Sequence, residues 1–122
     1  MALEFKPNTR MVREVSCAFE YNDDAGKVQT ETIAVRYFSP TTAEVKSRVE
    51  KARAEREKAK EENRLYIPYM TAELLELIHS IPTLIDPDTG EEYKITAEFL
   101  DSLDVRNVNA IKKAIDEDIS PK

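Results

Sequence analysis

Two runs of alternating residues, separated by a short turn, constrain the fold of this chain more than any other feature of its sequence. Residues 10–21 (RMVREVSCAFEY) and 28–38 (VQTETIAVRYF) each alternate between apolar and mostly polar side chains. A period of two is typical of a half-buried strand, and the second run is also rich in β-branched and aromatic residues. The predicted inward set is Met11, Val15, Cys17, Phe19, Ile33, Val35 and Tyr37.

The segment between the runs, NDDAGK at residues 22–27, contains residues that tolerate the backbone angles of a reversal. The two strands are therefore expected to form an antiparallel hairpin. An isolated two-stranded hairpin is marginally stable in water, so helices or a neighbouring chain must cover it. Its open edges are also suited to pairing with another chain, which makes a homo-oligomer one of our expectations.

A long helix is predicted from the "SPTTAE" junction to about Arg64, because Thr41 and Glu44 have capping-box spacing and no Gly or Pro follows. Its apolar stripe is thin and consists of Val45, Val49, Ala52 and Ala59. Its charges can form pairs four residues apart, namely Lys51 with Glu55, Arg53 with Glu57 and Lys58 with Glu62. Two interpretations follow: a projecting, solvated arm that is frayed toward its end, or an arm that becomes ordered against a partner.

The remainder of the chain predicts a helical part. TAELLELIHSIP is expected to be a short helix with Thr71 as its N-cap, followed by helices capped by Thr96 and by Asp104. Leu74, Leu75, Leu77 and Ile78 are predicted to point inward from the first of these helices, and Val108, Ile111, Ile115 and Ile119 from the last. The fold class is α+β in one domain, with a hairpin in 1–40, a charged helix arm in 41–64 and a helical part in 65–122.

The stretch IDPDTGEEY, residues 85–93, has two interpretations. A calcium loop of the EF-hand type that starts at Asp86 would need its glycine one residue later than Gly90 and a glutamate where Ala97 stands. The sequence therefore favours a sharp turn, in which Pro87 fixes φ and Gly90 supplies a positive φ. We expect a minor hairpin over residues 84–95 and no calcium site.

Composition argues against several kinds of chemistry. The chain has two glycines, one histidine and one cysteine, which are too few for a phosphate loop or a Cys/His zinc site. His79 is expected to be structural at a helix end, and Cys17 is expected to be a small apolar filler of the strand. Clustered carboxylates at Asp101, Asp104, Asp116 and Asp118 leave a metal-dependent enzyme as an alternative, but acidic solvent faces on helices are ordinary. We expect no enzyme activity and no cofactor.

Charge and hydropathy predict the partners. The stretch from Glu44 to Arg64 has eight basic and six acidic residues, whereas the stretch from Leu65 to Lys122 has five basic and twelve acidic residues. The acidic second half argues against nucleic acid as a ligand. The first residues, MALEFKPNTR, lack the apolar run of a signal peptide, and no stretch is apolar enough for a membrane span. Together with the single cysteine, these features predict a cytoplasmic protein with no membrane partner.

The order of elements resembles that of a known family. A helix that ends in ELIHSIP, a tiny hairpin with an Asp-x-Asp-x-Gly-Glu tip, and the helices TAEFLDSL and DVRNVNAIKKAI together resemble the C-terminal half of the tail assembly chaperones of long-tailed bacteriophages. The N-terminal hairpin and the "fSPTTAE" junction are similar to the first half of that family. The charge of the helix in 42–64 is higher than a compact member would have.

The resemblance implies a non-enzymatic function. Such chaperones bind the tape-measure protein, keep its apolar helices from aggregating and help to recruit tail-tube subunits in the host cytoplasm, and they are absent from the mature virion. A client-binding surface would need apolar residues bounded by charge. The sequence offers one cluster for this role, Tyr66, Ile67, Tyr69 and Met70 with Leu74 and Ile78. The same cluster is somewhat better suited to closing the domain's own core, and this second interpretation stays open beside the first. The alternative function is a small acidic adaptor that oligomerises through its hairpin edges.

Overall fold

The computed structural model describes residues 2–7, 10–65 and 70–120 and has the predicted α+β architecture. Within these residues, a three-stranded antiparallel sheet in the order β1-β2-β3 is combined with four helices. The elements are β1 (Val12–Asn22), β2 (Val28–Phe38), α1 (Thr42–Glu61), α2 (Met70–Leu77), β3 (Ile78–Ser80), α3 (Ala97–Ser102) and α4 (Val105–Ile119). Within the described ranges, no helix combines the length and apolarity that crossing a membrane requires.

The β1–β2 hairpin has the predicted face inward. Val15 lies opposite Val35 and Cys17 opposite Ile33, and all four side chains belong to or pack against the core. Met11 is the exception to the predicted set, since it lies before β1 and is 56% exposed. The turn is closed by Asp23, whose carbonyl accepts from the Gly26 N–H at 3.0 Å, and Gly26 has the positive φ of 79° that the reversal needs.

Helix α4 provides the cover that the hairpin requires. Its apolar stripe is buried as predicted for Val108, Ile111 and Ile115, while Ile119 is partly buried at the rim of the core. The buried core, shared by the sheet and by α2, α3 and α4, consists of Ile33, Val35, Tyr37, Leu74, Leu77, Ile78, Ile81, Leu100, Val108, Ile111 and Ile115. Thr96 and Asp104 cap α3 and α4 as predicted.

Two hydrogen-bonded contacts hold α4 to the hairpin. At its first turn, the side chain of Asn107 accepts from the Glu20 N–H and donates to the Glu20 carbonyl, both at 2.8 Å. At its last turn, the hydroxyl of Tyr37 donates to Asp118 at 2.5 Å. Asn107 is 4% exposed, and a polar side chain that deep must be hydrogen-bonded to be tolerated. The two contacts set the direction of α4 along the hairpin.

The segment after α2 differs from its prediction. Helix α2 ends at Leu77, and Ile78–Ser80 form a short strand that pairs with β2 through Tyr37–Ile78 and Arg36–Ser80. The prediction of a helix through Ile78 was wrong because the unpaired backbone of β2 offered the segment a better partner. Pro82 has no N–H and cannot continue the ladder, so β3 stops after three residues.

Three residues near α2 also differ from prediction. Thr71 is the second residue of α2 and not its N-cap. Leu75 was predicted to point inward but is 40% exposed. His79 lies in β3 and not at a helix end; its ring packs edge-on against Phe38, with centroids 5.2 Å apart.

Helix α1 begins as predicted and ends in a defined cap. Thr41 and Glu44 form the full capping box. At the other end the Asn63 N–H bonds to Lys60 and the Arg64 N–H to Ala59, with Asn63 at a φ of 53°. This Schellman arrangement closes the end that the sequence predicts to be frayed. Within the described part of the chain, none of the three predicted i,i+4 pairs forms a salt bridge on α1; Glu62 bonds to Arg64 instead, at 2.6 Å.

The stretch 85–93 forms the predicted turn. The Asp86 N–H bonds to Glu91, the Gly90 N–H bonds back to Asp86, both at 2.8 Å, and Ile85 and Glu92 form a bridge. Gly90 has a φ of 73°, and one Asp86 carboxylate oxygen accepts from the Asp88 N–H at 2.9 Å. The minor hairpin is therefore reduced to a single bridge around a tight turn.

Replacing Asn63 tests the cap of α1. Asn63→Gly removes the Cβ from a left-handed backbone position, so we expect the free energy of unfolding to rise by about 0.5 kcal/mol. Asn63→Ala should lower it by about 1 kcal/mol. Chemical denaturation followed by circular dichroism measures both. Asn109→Gly is the matched control, because the same change inside α4 at an exposed position should destabilise. Equal signs for the two glycine variants would contradict the capping role.

Burial, and then the bond to Asp118, raise the pKa of Tyr37 to about 12. Because the folded-state pKa exceeds the ordinary value near 10, this group's contribution to stability is complete below pH 10 and is lost as the pH rises toward 12.

We expect Tyr37→Phe to lower the free energy of unfolding by about 1 kcal/mol at pH 8, and to lose less stability than the unmodified chain between pH 10 and 12. Urea denaturation at several pH values measures both. Tyr93→Phe, at a tyrosine that is 38% exposed and stacked on Phe99, is the control. A Tyr37→Phe variant with an unchanged alkaline profile would show that the Tyr37 hydroxyl does not titrate with folding.

Candidate functional site

A groove runs beside α1, where this helix faces α2 and the end of α4. We call it the α1 groove. Its main part has a volume of about 330 Å³ and is lined by Pro40, Val45, Arg48, Val49, Ala52, Glu73, Lys112, Asp116, Ile119 and Ser120. A smaller hollow of about 170 Å³ shares Arg48, Ala52 and Glu73 with it and continues along α1 toward Glu55.

The apolar wall of the groove is the thin stripe of α1. Residues four and three apart lie on one helix face, so Val45, Val49 and Ala52 follow one another along the groove. Val45 is 36% exposed and Val49 is 52% exposed. The facing apolar side chain is Ile119, which packs partly against the core. Val45 and Val49 therefore face a gap and not a packed neighbour, whereas Ala59, the last residue of the predicted stripe, is 1% exposed.

The floor of the groove carries an ion network that joins α2 to α4. The ammonium of Lys112 lies 3.1 Å from Glu73 and 2.8 Å from Asp116. Burial alone would lower the pKa of Lys112, but hydrogen bonds to Asp116 and Glu73 and their charges raise it. Lys112 thus stays charged, because two carboxylates compensate its partial loss of water.

The rim is charged with both signs. Arg48 on α1 lies 3.7 Å from Glu76 on α2, and Arg10 bonds to Glu44 at 3.1 Å beside the start of α1. The pKa of Glu44 is lowered, first because it accepts the Thr41 N–H and then because Arg10 is near. Surface pairs of this kind contribute about 0–1 kcal/mol each, so these two ion pairs add little to the attachment of α1.

Two of the six residues in the sequence-predicted binding cluster, Leu74 and Ile78, can be placed by their burial. Leu74 is completely buried and Ile78 is 4% exposed, and both belong to the core. Met70 is the first residue of α2. Tyr66, Ile67 and Tyr69 lie outside the described residues. For Leu74 and Ile78, the structure matches the interpretation in which they close the core.

The four carboxylates on which the alternative of a metal-dependent enzyme rests either make a structural contact or lie apart from the others. Asp104 caps α4, Asp116 binds Lys112 and Asp118 accepts from Tyr37, while Asp101 is exposed on α3. In residues 2–7, 10–65 and 70–120, no three His, Cys, Asp or Glu side chains are grouped to hold a metal ion.

The valines of the α1 groove were visible in the sequence as a stripe but were not predicted as a site. The stripe was too thin to indicate a core face, and the sequence does not show that α2 and α4 lie opposite it. The available signal was the pair Val45 and Val49 in a helix otherwise dominated by charge. Apolar residues at helical spacing that are too few for a core are consistent with an intermittent contact.

In comparisons with known proteins, the chain matches no family model, no curated protein and no solved structure.

Lys112 at the floor of the groove offers a test of the ion network. Lys112→Met removes the charge between Glu73 and Asp116, so we expect a loss of about 1 kcal/mol in unfolding free energy, because two carboxylates then lack their shared cation. The loss should shrink in about 1 M salt, which screens their repulsion. Lys113→Met is the matched control, since Lys113 is 78% exposed and 4.0 Å from Glu117. Similar effects from both lysines would contradict a role for the network.

Proposed function

We propose that this chain is a non-enzymatic chaperone that binds an amphipathic helical segment of a client protein in the α1 groove. The observation that carries the proposal is the exposure of Val45 and Val49 on the face of α1 that looks into the groove. An amphipathic helix laid into an apolar groove with charged borders is a recurrent mode of peptide recognition.

The energetics favour an occupant of this kind. Fully burying a valine side chain contributes about 1.5–3 kcal/mol, so covering two half-exposed valines outweighs the loss of one exposed pair such as Arg48–Glu76. The Arg48–Glu76 pair across the groove is weak, so it opposes widening of the groove around a helix only slightly. Arg48, Lys51, Glu55 and Glu76 on the borders supply charges of both signs that select the orientation of a client.

The class of client comes from the resemblance to tail assembly chaperones. On that basis the client is the tape-measure protein of a long-tailed phage or prophage, whose long apolar helices need cover before assembly, and the tail-tube protein is the second partner. The chain would act in the host cytoplasm and leave before the particle is complete. We expect a reading frame for a very long helical protein directly downstream of the gene.

A second function, a small acidic adaptor that oligomerises, is favoured by one observation. The outer edge of β2 is unpaired before Arg36 among the described residues. The two functions are compatible because the groove and the edge lie on different elements.

The groove is tested by making it polar. We expect Val45→Gln/Val49→Gln to weaken the affinity for the long helical protein encoded downstream about tenfold, as judged by co-purification. The reason is that a loss of about 1.4 kcal/mol of apolar burial is a factor of ten in Kd. The melting temperature of this variant should change little, because both side chains are exposed. Val105→Gln is the control: Val105 is 64% exposed on α4 and does not line the groove.

Equal loss of binding in both variants would contradict the groove as the site, and unchanged binding in both would do the same. Failure of the unmodified chain to retain the long helical protein would reject the chaperone function itself. Binding that is lost with the groove variant alone, while both variants remain folded, supports the proposal.

A further inference from the structure

The outer edge of β2 is open over most of its length. Strand β3 pairs with β2 at Arg36 and Tyr37 only, and among the described residues no backbone group bonds to the outward side of the strand from Val28 to Ala34. In an antiparallel ladder, one residue directs both its N–H and its C=O toward the partner strand, and the next residue directs both toward the outer side. The backbone groups of Glu20 point away from β2, toward Asn107. Glu20 lies opposite Thr30, so the backbone N–H and C=O of Thr30 point away from β1. The same holds for Val28, Thr32 and Ala34.

The outer edges of β1 and β2 differ in whether a side chain occupies their backbone groups. The outer edge of β1 is closed at Glu20 by the side chain of Asn107, which occupies both backbone groups as a neighbouring strand would. The edge of β2 has no such device: VQTETIA, residues 28–34, contains one charge, Glu31, and no proline. Natural edge strands usually carry lysine, proline or a bulge that prevents pairing. An unprotected edge with β-branched residues is a template for another strand.

We propose that two copies of this chain pair through the β2 edge, antiparallel and across a two-fold axis at Gln29. In this register Val28 lies opposite the second copy's Thr30, and Lys27 lies opposite the second copy's Glu31. The ladder bonds form between residues whose backbone groups point outward, and each copy's single edge charge meets an opposite charge.

Neighbouring registers are less favourable. An axis at Glu31 places the two Glu31 carboxylates directly opposite each other, and like charges in that position are destabilising. An axis at Thr30 moves the second copy's turn, residues 23–26, to positions 34–37 of β2, where β3 already pairs with Arg36 and Tyr37. The axis at Gln29 avoids both conflicts, because the second copy's Gly26 then lies beside Thr32.

This self-pairing goes beyond the proposed chaperone function and needs no client; it rests on the second, oligomerising function and adds the partner and the register. Its outcome is therefore distinguishable from the client-binding test, which uses the α1 groove and different variants. The occupant of the edge is a second copy, since the charge pattern at Lys27 and Glu31 is self-complementary under a two-fold axis.

A cysteine scan tests the register. In a two-fold antiparallel pair, only the residue on the axis faces its own copy, and at a non-hydrogen-bonded pair the Cα atoms lie about 4.5 Å apart, which a disulfide can span. In a Cys17→Ala background, single cysteines are placed at Val28, Gln29, Thr30, Glu31 and, as a control for random collision, at the exposed loop residue Asp88. We expect rapid cross-linking of Gln29→Cys, with the other four at the collision rate.

A charge exchange tests the proposed contact without oxidation. Lys27→Glu and Glu31→Lys should each weaken the dimer roughly tenfold in analytical ultracentrifugation, because two symmetric contacts are lost, and the double variant should restore it. Tyr21→Phe is the control for Glu31→Lys, since the Tyr21 hydroxyl bonds to Glu31 at 3.0 Å. Glu57→Lys, on the exposed part of α1, controls for net charge.

A chain that stays monomeric over the concentration range, or a fastest cross-link at Val28, Thr30, Glu31 or Asp88, would overturn the proposal. So would a double variant that dimerises no better than the single ones. Cross-linking at Gln29 together with restoration by the double variant supports it.

Discussion

The structure depends on covering one face of a two-stranded hairpin. β1 and β2 place Val15, Cys17, Ile33 and Val35 on a common face, and a hairpin of this kind is not stable alone in water. α4 supplies the cover through Ile111 and Ile115, both fully buried. Each such side chain contributes about 1.5–3 kcal/mol when buried, more than the roughly 0–1 kcal/mol that is typical of an exposed ion pair. Apolar burial thus determines where α4 lies, and Asn107–Glu20 and Tyr37–Asp118 determine its register along the strands.

The sequence predicts the elements that combine a strong period with a recognisable cap. The alternation of β1 and β2, the capping box at Thr41 and the Thr96 and Asp104 caps are all local signals, and the structure confirms them. β3 could not be predicted in this way, because Ile78–Ser80 continue the apolar pattern of α2 and are drawn into a strand only by the edge of β2. The cap at the end of α1 is a local feature, but it was not predicted because Asn63 is a weaker signal for a C-terminal cap than a glycine.

The candidate site was less predictable than the fold. The predicted cluster is densely apolar, yet dense apolar segments are also what a core recruits, and two of its residues, Leu74 and Ile78, are in the core. The valines of α1 attract less attention in the sequence because they are few. Their significance depends on what lies opposite, and that is set by long-range packing of α2 and α4. Surface sites formed between elements are visible only after those elements have been placed.

The groove and the β2 edge call for chemically different occupants. The α1 groove offers side-chain surface, with valines between charged borders, and its occupant must bring an apolar face but can keep its own backbone bonds within a helix. The β2 edge offers backbone N–H and C=O groups, and its occupant must be an extended strand with unpaired groups of its own. A helical client cannot satisfy the edge, and a strand cannot fill the groove without leaving its backbone unpaired. Occupation of one surface therefore does not consume the other, so the proposed self-pairing and the proposed client binding are compatible in one molecule.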